Sequence, residues 1–112
     1  MNIINNYKVY IHTNLVNGKK YVGITQQAEK ERWSNGNGYR ENKKFYKDIQ
    51  KYGWNDGFSH EIIKENISYK EARTLEKFYI SKYDSVLKGY NNSNFNLGIA
   101  FQFDFDDIVP IN

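Results

Sequence analysis

Residues 7–25, YKVYIHTNLVNGKKYVGIT, constrain the fold more than any other stretch. Two short alternating runs flank an Asn17-Gly18 pair. In Tyr7–Thr13, Tyr7, Val9 and Ile11 fall on one face, and Lys8, Tyr10 and His12 on the other. In Lys20–Thr25, Val22 and Ile24 oppose Tyr21, Gly23 and Thr25. Period-two alternation specifies half-buried strands, and an Asn-Gly turn between them specifies a hairpin. Tyr10 and Tyr21 both lie opposite the aliphatic residues, where core packing does not require a phenol.

The register of that hairpin decides whether the two phenols meet. A two-residue turn at Asn17-Gly18 pairs Val16 with Lys19 and Tyr21 with Asn14, which leaves Tyr10 several residues from Tyr21. A four-residue loop, Asn14–Asn17, pairs Thr13 with Gly18 and Tyr10 with Tyr21. The second register is favoured, because it also lets Leu15 and Val16 fold back on the core. A turn dipeptide alone does not fix register.

Downstream, Ala28–Trp33 reads as a short helix with Arg32 near its end, and Ser34–Tyr39 (SNGNGY) as a loop. Asn42–Tyr52 reads as a helix with a Phe45/Ile49/Tyr52 stripe, stopped by Gly53. Trp54–Gly57 is a turn and Phe58–Lys64 a third strand. Ser68 and Glu71 form a capping box that starts a helix running to about Tyr83. Its apolar stripe is Ala72, Leu75, Tyr79 or Phe78, and Ile80, with Glu76 at the stripe's edge facing a cleft. Gly89–Asn92 is a turn, and Ile99–Phe105 alternates again. The reading is an α+β domain: a small antiparallel three-stranded sheet flanked by helices, with a β-like C-terminal tail. The domain is placed at residues 1–98. The acidic, aromatic tail at 99–112 is expected to pack on it.

Composition narrows the chemistry. At 112 residues without cysteine, the chain is one domain, with no disulfide, no Cys-bound metal and no thiol catalysis. No apolar run approaches a membrane span and no secretory h-region opens the chain, so the reading is a soluble, intracellular (cytoplasmic) protein with no membrane partner. The net charge of +3 is unevenly spread. All sixteen basic groups precede residue 100, and the last thirteen residues carry Asp104, Asp106 and Asp107 with no base. A basic body with ten Tyr, seven Phe and two Trp suits a polyanionic partner such as nucleic acid. No Walker motif, dinucleotide fingerprint, nucleophile elbow or helical His pair is present.

Tyr10, Tyr21, Arg32, Glu76 and Asn91 remain. Their order and context resemble the GIY-YIG nuclease domain, with Lys8-Val9-Tyr10 in place of GIY and Tyr21-Val22-Gly23 in place of YIG. Arg32 follows on a helix, Glu76 on a later helix, and Asn91 near the end of the resemblance, which runs from about Tyr7 to Asn92. Each tripeptide alone is a poor signal, and the ordered set is a strong one. Such domains occur as phage-type free-standing or homing endonucleases.

The resemblance implies a metal-dependent DNA endonuclease with one Mg²⁺ or Mn²⁺ held by Glu76 and waters. Tyr21 would activate or position the water, and Tyr10 would hydrogen-bond the water or the phosphate. Arg32 would hold the phosphate, and Asn91 would orient a phosphate contact or brace the Glu. Arg32, Lys8 and the metal would lower the Tyr21 pKa. Four residues after Arg32, where the family often has His or Tyr, stands Gly36. Tyr39, His12 or His60 is the candidate for that second proton-handling role. Lys8, expected to lie open to solvent or DNA, joins Arg40, Lys43, Lys44 and Lys47 as candidate DNA-backbone contacts. Specificity would need a homodimer or a partner protein.

Singly, each residue has an ordinary use: Tyr10 and Tyr21 as cross-strand partners, Arg32 as a solvated helix residue, Glu76 as a surface ion-pair member, Asn91 as a turn residue. The alternative for the whole is a non-catalytic nucleic-acid-binding or partner-binding module on the same fold.

Overall fold

The hairpin forms, and its first strand becomes the centre of the sheet. The computed structural model describes residues 5–92. In chain order it has β1 (Tyr7–Asn14), β2 (Lys20–Thr25), α1 (Glu29–Trp33), a 3₁₀ segment (Ser34–Tyr39), α2 (Lys43–Tyr52), β3 (Phe58–Ile67) and α3 (Tyr69–Tyr83). The strands pair antiparallel in the order β2-β1-β3. This is the expected α+β architecture. The alternating stretch Ile99–Phe105 and the boundary at residue 98 lie outside the described residues.

Centrality changes the reading of β1. It is buried on both faces, not one. Val9, Ile11 and Val22 pack with Ile67, Ala72 and Ile80 on an aliphatic side covered by α3. Tyr10 packs with Tyr39, Phe45, Trp54 and Tyr90 on an aromatic side covered by the 3₁₀ segment and α2.

The register differs from both alternatives. His12 pairs with Tyr21, Thr13 with Lys20, and Tyr10 with Gly23. Asn14 is the cause. Its Oδ1 accepts from the Val16 and Asn17 amides at 2.8 and 3.3 Å. Its own amide donates to the Lys19 carbonyl at 2.9 Å, and its carbonyl accepts from the Gly18 amide at 2.8 Å. The loop is thus Leu15–Gly18, with Gly18 at φ 78°, where a side chain would be strained. Leu15 and Val16 do not fold back on the core. They are 62% and 68% exposed at the tip.

The helices start and stop where their caps dictate. Asn42 caps α2 by accepting from the Phe45 amide, and Gly53 ends it. Ser68 Oγ accepts from the Glu71 amide at 3.1 Å and starts α3 where expected, while the Glu71 carboxylate accepts from Lys64 at 2.8 Å. The buried line of α3 is Ala72, Glu76 and Ile80, spaced four apart. Glu76 therefore sits within the stripe, not at its edge, and Phe78 is exposed. No helix among the described residues is long and apolar enough to cross a membrane.

Candidate active site

Tyr10 is wholly buried on the aromatic side, and its phenol crosses β2 at Gly23. A Cβ at residue 23 would fall 2.6 Å from the Tyr10 Cζ and Oη. The glycine thus leaves the space that the ring occupies. Tyr21 is half-buried and stacks on Phe45 at 5.1 Å. Tyr39 lies between the two phenols' environments. Its ring meets the Tyr21 ring at 5.0 Å, and its hydroxyl oxygen is 3.1 Å from that of Tyr10.

Arg32 reaches this cluster from the end of α1. Its guanidinium lies 4.5 Å over the Tyr39 ring, donates to the Gly38 carbonyl at 2.9 Å, and its charge acts on the Tyr21 phenol. The 3₁₀ segment makes this possible by folding back so that Gly38 and Tyr39 both face α1. Glu76 approaches from α3, where its Oε1 accepts from Arg73 Nη1 at 2.6 Å. Its negative charge acts on both Tyr10 and Tyr21. Five groups from five elements thus share one electrostatic neighbourhood.

The balance of that neighbourhood corrects one expectation. Burial pushes the Tyr10, Tyr21 and Tyr39 phenols above their usual value, and the Arg32 charge only partly opposes it. A ready-made phenolate at neutral pH is therefore absent from this cluster. Burial also lifts the Glu76 carboxyl to about 7, against the pull of Arg73 and Lys77. The Arg73 guanidinium at 2.6 Å therefore only partly offsets the burial of this carboxylate.

The model of the GIY-YIG catalytic domain matches residues 6–91. The chain belongs to the GIY-YIG family. Its fold is similar to the solved catalytic domain of the homing endonuclease I-TevI, with 27% identity and a TM-score of 0.63, covering 78% of this chain and 98% of that one. A mutant of the I-TevI catalytic domain, described as an intron endonuclease, aligns at 25% identity and a TM-score of 0.57, covering 76% of this chain and 92% of that one. Among curated proteins no significant match is found. The chain is an endonuclease of GIY-YIG type.

Within this GIY-YIG domain, Asn91 does something other than the sequence suggested. Its hydrogen bonds go to β2 and Ser85, not to Glu76. It is buried, its Nδ2 donates to the Val22 carbonyl at 2.9 Å, and its Oδ1 accepts from the Val22 amide at 2.9 Å and from Ser85 Oγ at 2.7 Å. β2 is an edge strand, so these bonds stand in for a missing neighbour midway between Tyr21 and Gly23. Replacing Asn91 with Ala should cost about 2–4 kcal/mol in urea unfolding, since two buried backbone groups lose their partners. Cleavage per folded molecule should stay within about tenfold of wild type.

The cation assignments divide. Lys8 is not open to DNA. Its Nζ pairs with Glu29 at 3.2 Å and its side chain is 16% exposed, because the adjacent α1 brings that carboxylate over β1. Lys44 donates to the Val86 carbonyl at 3.1 Å. Arg40, Lys43 and Lys47 are exposed, with Lys43 and Lys47 one turn apart on α2. Gly36 is buried against Ile49 and Trp54, so the position four after Arg32 is core, while Tyr39 reaches the phenols.

His12 and His60 join the cluster from behind. His12 is fully buried, its Nε2 2.8 Å from the Tyr39 hydroxyl and its Nδ1 2.9 Å from His60 Nδ1. Sequence reasoning missed Trp33. Its ring meets Tyr10 at 5.3 Å and its N–H faces that phenol without reaching hydrogen-bond geometry, so this buried donor has no partner. Its place beside Arg32 was the one available signal.

Proposed function

We propose that the protein is a DNA endonuclease that hydrolyses a phosphodiester bond with one divalent cation, Mg²⁺ or Mn²⁺. The observation that carries this reading is the convergence of Arg32 and Glu76, of opposite charge, on Tyr10 and Tyr21. Such an arrangement suits a reaction in which a water must be oriented while negative charge on phosphorus is neutralised.

Glu76 fits a cation that keeps most of its waters. It is a single carboxylate, and among the described residues no three metal-binding side chains cluster. When bound, the ion supplies charge stabilisation for the phosphate and the leaving oxygen. Arg32 holds the scissile phosphate by the N–H groups that do not go to Gly38. Tyr21, half-buried beside Arg32, orients the attacking water, and Tyr10 hydrogen-bonds the same water. Arg40, Lys43 and Lys47 track the DNA backbone, and a second copy or a partner protein supplies sequence specificity. An intracellular setting, phage or bacterial, accords with this substrate.

Supercoiled plasmid incubated with Mg²⁺ or Mn²⁺ tests the reading. Wild type should nick or linearise it, and Tyr21→Phe and Arg32→Ala should each reduce the rate by about 10²–10³-fold with the fold intact. A wild type that binds DNA with a steep salt dependence but never cuts would make the domain a binding module instead.

A further inference from the structure

The histidine pair lies behind the tyrosines and has no part in the mechanism above. His12 and His60 belong to one unbroken chain of polar contacts. The Tyr10 and Tyr39 hydroxyls are 3.1 Å apart, Tyr39 is 2.8 Å from His12 Nε2, and His12 Nδ1 is 2.9 Å from His60 Nδ1. His60 Nε2 then lies 2.9 Å from the Trp54 carbonyl oxygen. Tyr10, His12 and Tyr39 are buried, while His60 is half-exposed.

The carbonyl at the far end sets the direction of every proton. It can only accept, so His60 carries its hydrogen on Nε2. A neutral His60 then accepts at Nδ1, which requires His12 to donate from Nδ1 and accept at Nε2. Tyr39 must donate to His12, and Tyr10 must donate to Tyr39. The Tyr10 oxygen is then left with lone pairs that can accept a proton. The approach of the Trp33 indole, a donor only, to that oxygen agrees. With a second proton on His60, every bond reverses: His60 donates to His12, His12 to Tyr39, and Tyr39 to Tyr10. The chain has two complete arrangements that differ by one proton.

We propose that Tyr39, His12 and His60 form a relay that accepts, through Tyr10, the proton released by the attacking water and delivers it to His60. This rests on the nuclease reading and deepens it. As the water oxygen bonds to phosphorus, one of its protons passes to the Tyr10 oxygen. The Tyr10 proton passes to Tyr39, the Tyr39 proton to His12 Nε2, and the His12 Nδ1 proton to His60 Nδ1. The bond from phosphorus to the leaving oxygen breaks with its electron pair, and that oxygen takes a proton from solvent. His60, now carrying both N–H groups, returns one proton to solvent.

The relay removes the difficulty that all three phenols resist ionisation. A neutral phenol takes up a proton if it passes its own proton on. Burial disfavours the charged form of both rings, more strongly at His12, where the charges of His60 and Arg32 add to it, while at His60 the Trp54 carbonyl partly opposes burial, so the proton is drawn outward. The titratable groups facing the pair are Tyr10, Tyr21 and Tyr39, with the charge of Arg32. His12 and His60 touch no substrate and act through Tyr39 and Tyr10.

Two measurements test the relay. Long-range ¹H–¹⁵N NMR of the free protein near pH 7.5 should find opposite tautomers, Nδ1–H in His12 and Nε2–H in His60. The same tautomer in both rings overturns the proposal. In the plasmid assay, His60→Gln keeps a donor for Trp54 and an acceptor for His12 but takes up no proton. It should lower kcat about 10²-fold with KM within about twofold, and imidazole should restore activity to His60→Ala. A His60→Gln enzyme that cuts like wild type makes His60 structural and overturns the relay while the nuclease reading stands. A wild type that does not cut overturns the nuclease reading, and the relay with it.

Discussion

Glu76→Gln should abolish cleavage and at the same time stabilise the protein. The carboxyl titrates at about 7 in the folded chain, against 4.5 for the free side chain, because burial outweighs Arg73 and Lys77. The folded state thus holds its proton more tightly than the unfolded state. Stability falls as pH rises from about 4.5 to about 7 and is level above that, a loss on the order of 3 kcal/mol at neutral pH. Gln has the same shape, keeps an acceptor for Arg73 and never ionises. Urea unfolding at pH 7.5 should therefore favour the variant by about 2–3 kcal/mol, and the difference should vanish near pH 4. Cleavage should drop by about 10³-fold or more, since the site loses both its cation ligand and its fixed negative charge. Added Mg²⁺ should raise the unfolding midpoint of wild type and leave that of the variant unmoved, which separates metal binding from catalysis. A variant that cuts normally, or is less stable at every pH, would remove Glu76 from the site.

Gly23→Ala should damage both fold and activity through one atom. The new methyl would sit 2.6 Å from the Tyr10 Cζ and Oη, far inside contact distance. Tyr10 is closed in by Trp33 and His12 at 5.3 and 5.0 Å between ring centroids, so the ring has little room to yield. Overpacking of this kind costs about 1–3 kcal/mol. It also displaces the Tyr10 oxygen from Tyr39, and misplacement by about 1 Å in a catalytic array lowers rates about 10²-fold. Denaturation midpoints and single-turnover cleavage should show the two losses together. A fully active Gly23→Ala protein would mean that the position of Tyr10 is irrelevant to the reaction.

The hairpin shows where sequence reasoning holds and where it stops. Alternation placed Tyr10 and Tyr21 on one face, and both do lie on the aromatic side. Neither proposed register was right, because Asn14 closes the loop with its own side chain and shifts the pairing by two residues relative to each alternative, which keeps every side chain on its face. The phenols still converge, since Tyr10 lies across the missing side chain of Gly23 rather than opposite Tyr21. The bonds of Asn91 could not be read from the chain either: its buried carboxamide holds both backbone groups of Val22 and clamps an edge strand. Lys8 was read as exposed because its partner, Glu29, is twenty-one residues away in the chain.

Local signals sufficed for the elements themselves. Periodicity, the Ser68 cap and the Gly53 stop depend on neighbours within a turn or two, so they can be read from the chain directly. The ordered tyrosines, Arg32 and Glu76 likewise pointed to the GIY-YIG family, because that order is a property of the sequence. The balance of forces within the site was decided by the tertiary structure. Burial of three phenols and a carboxylate, and the meeting of His12 with His60 across forty-eight residues, arise only when both faces of β1 are covered. Desolvation depends on what surrounds a group on all sides, and no pattern along a single strand records that.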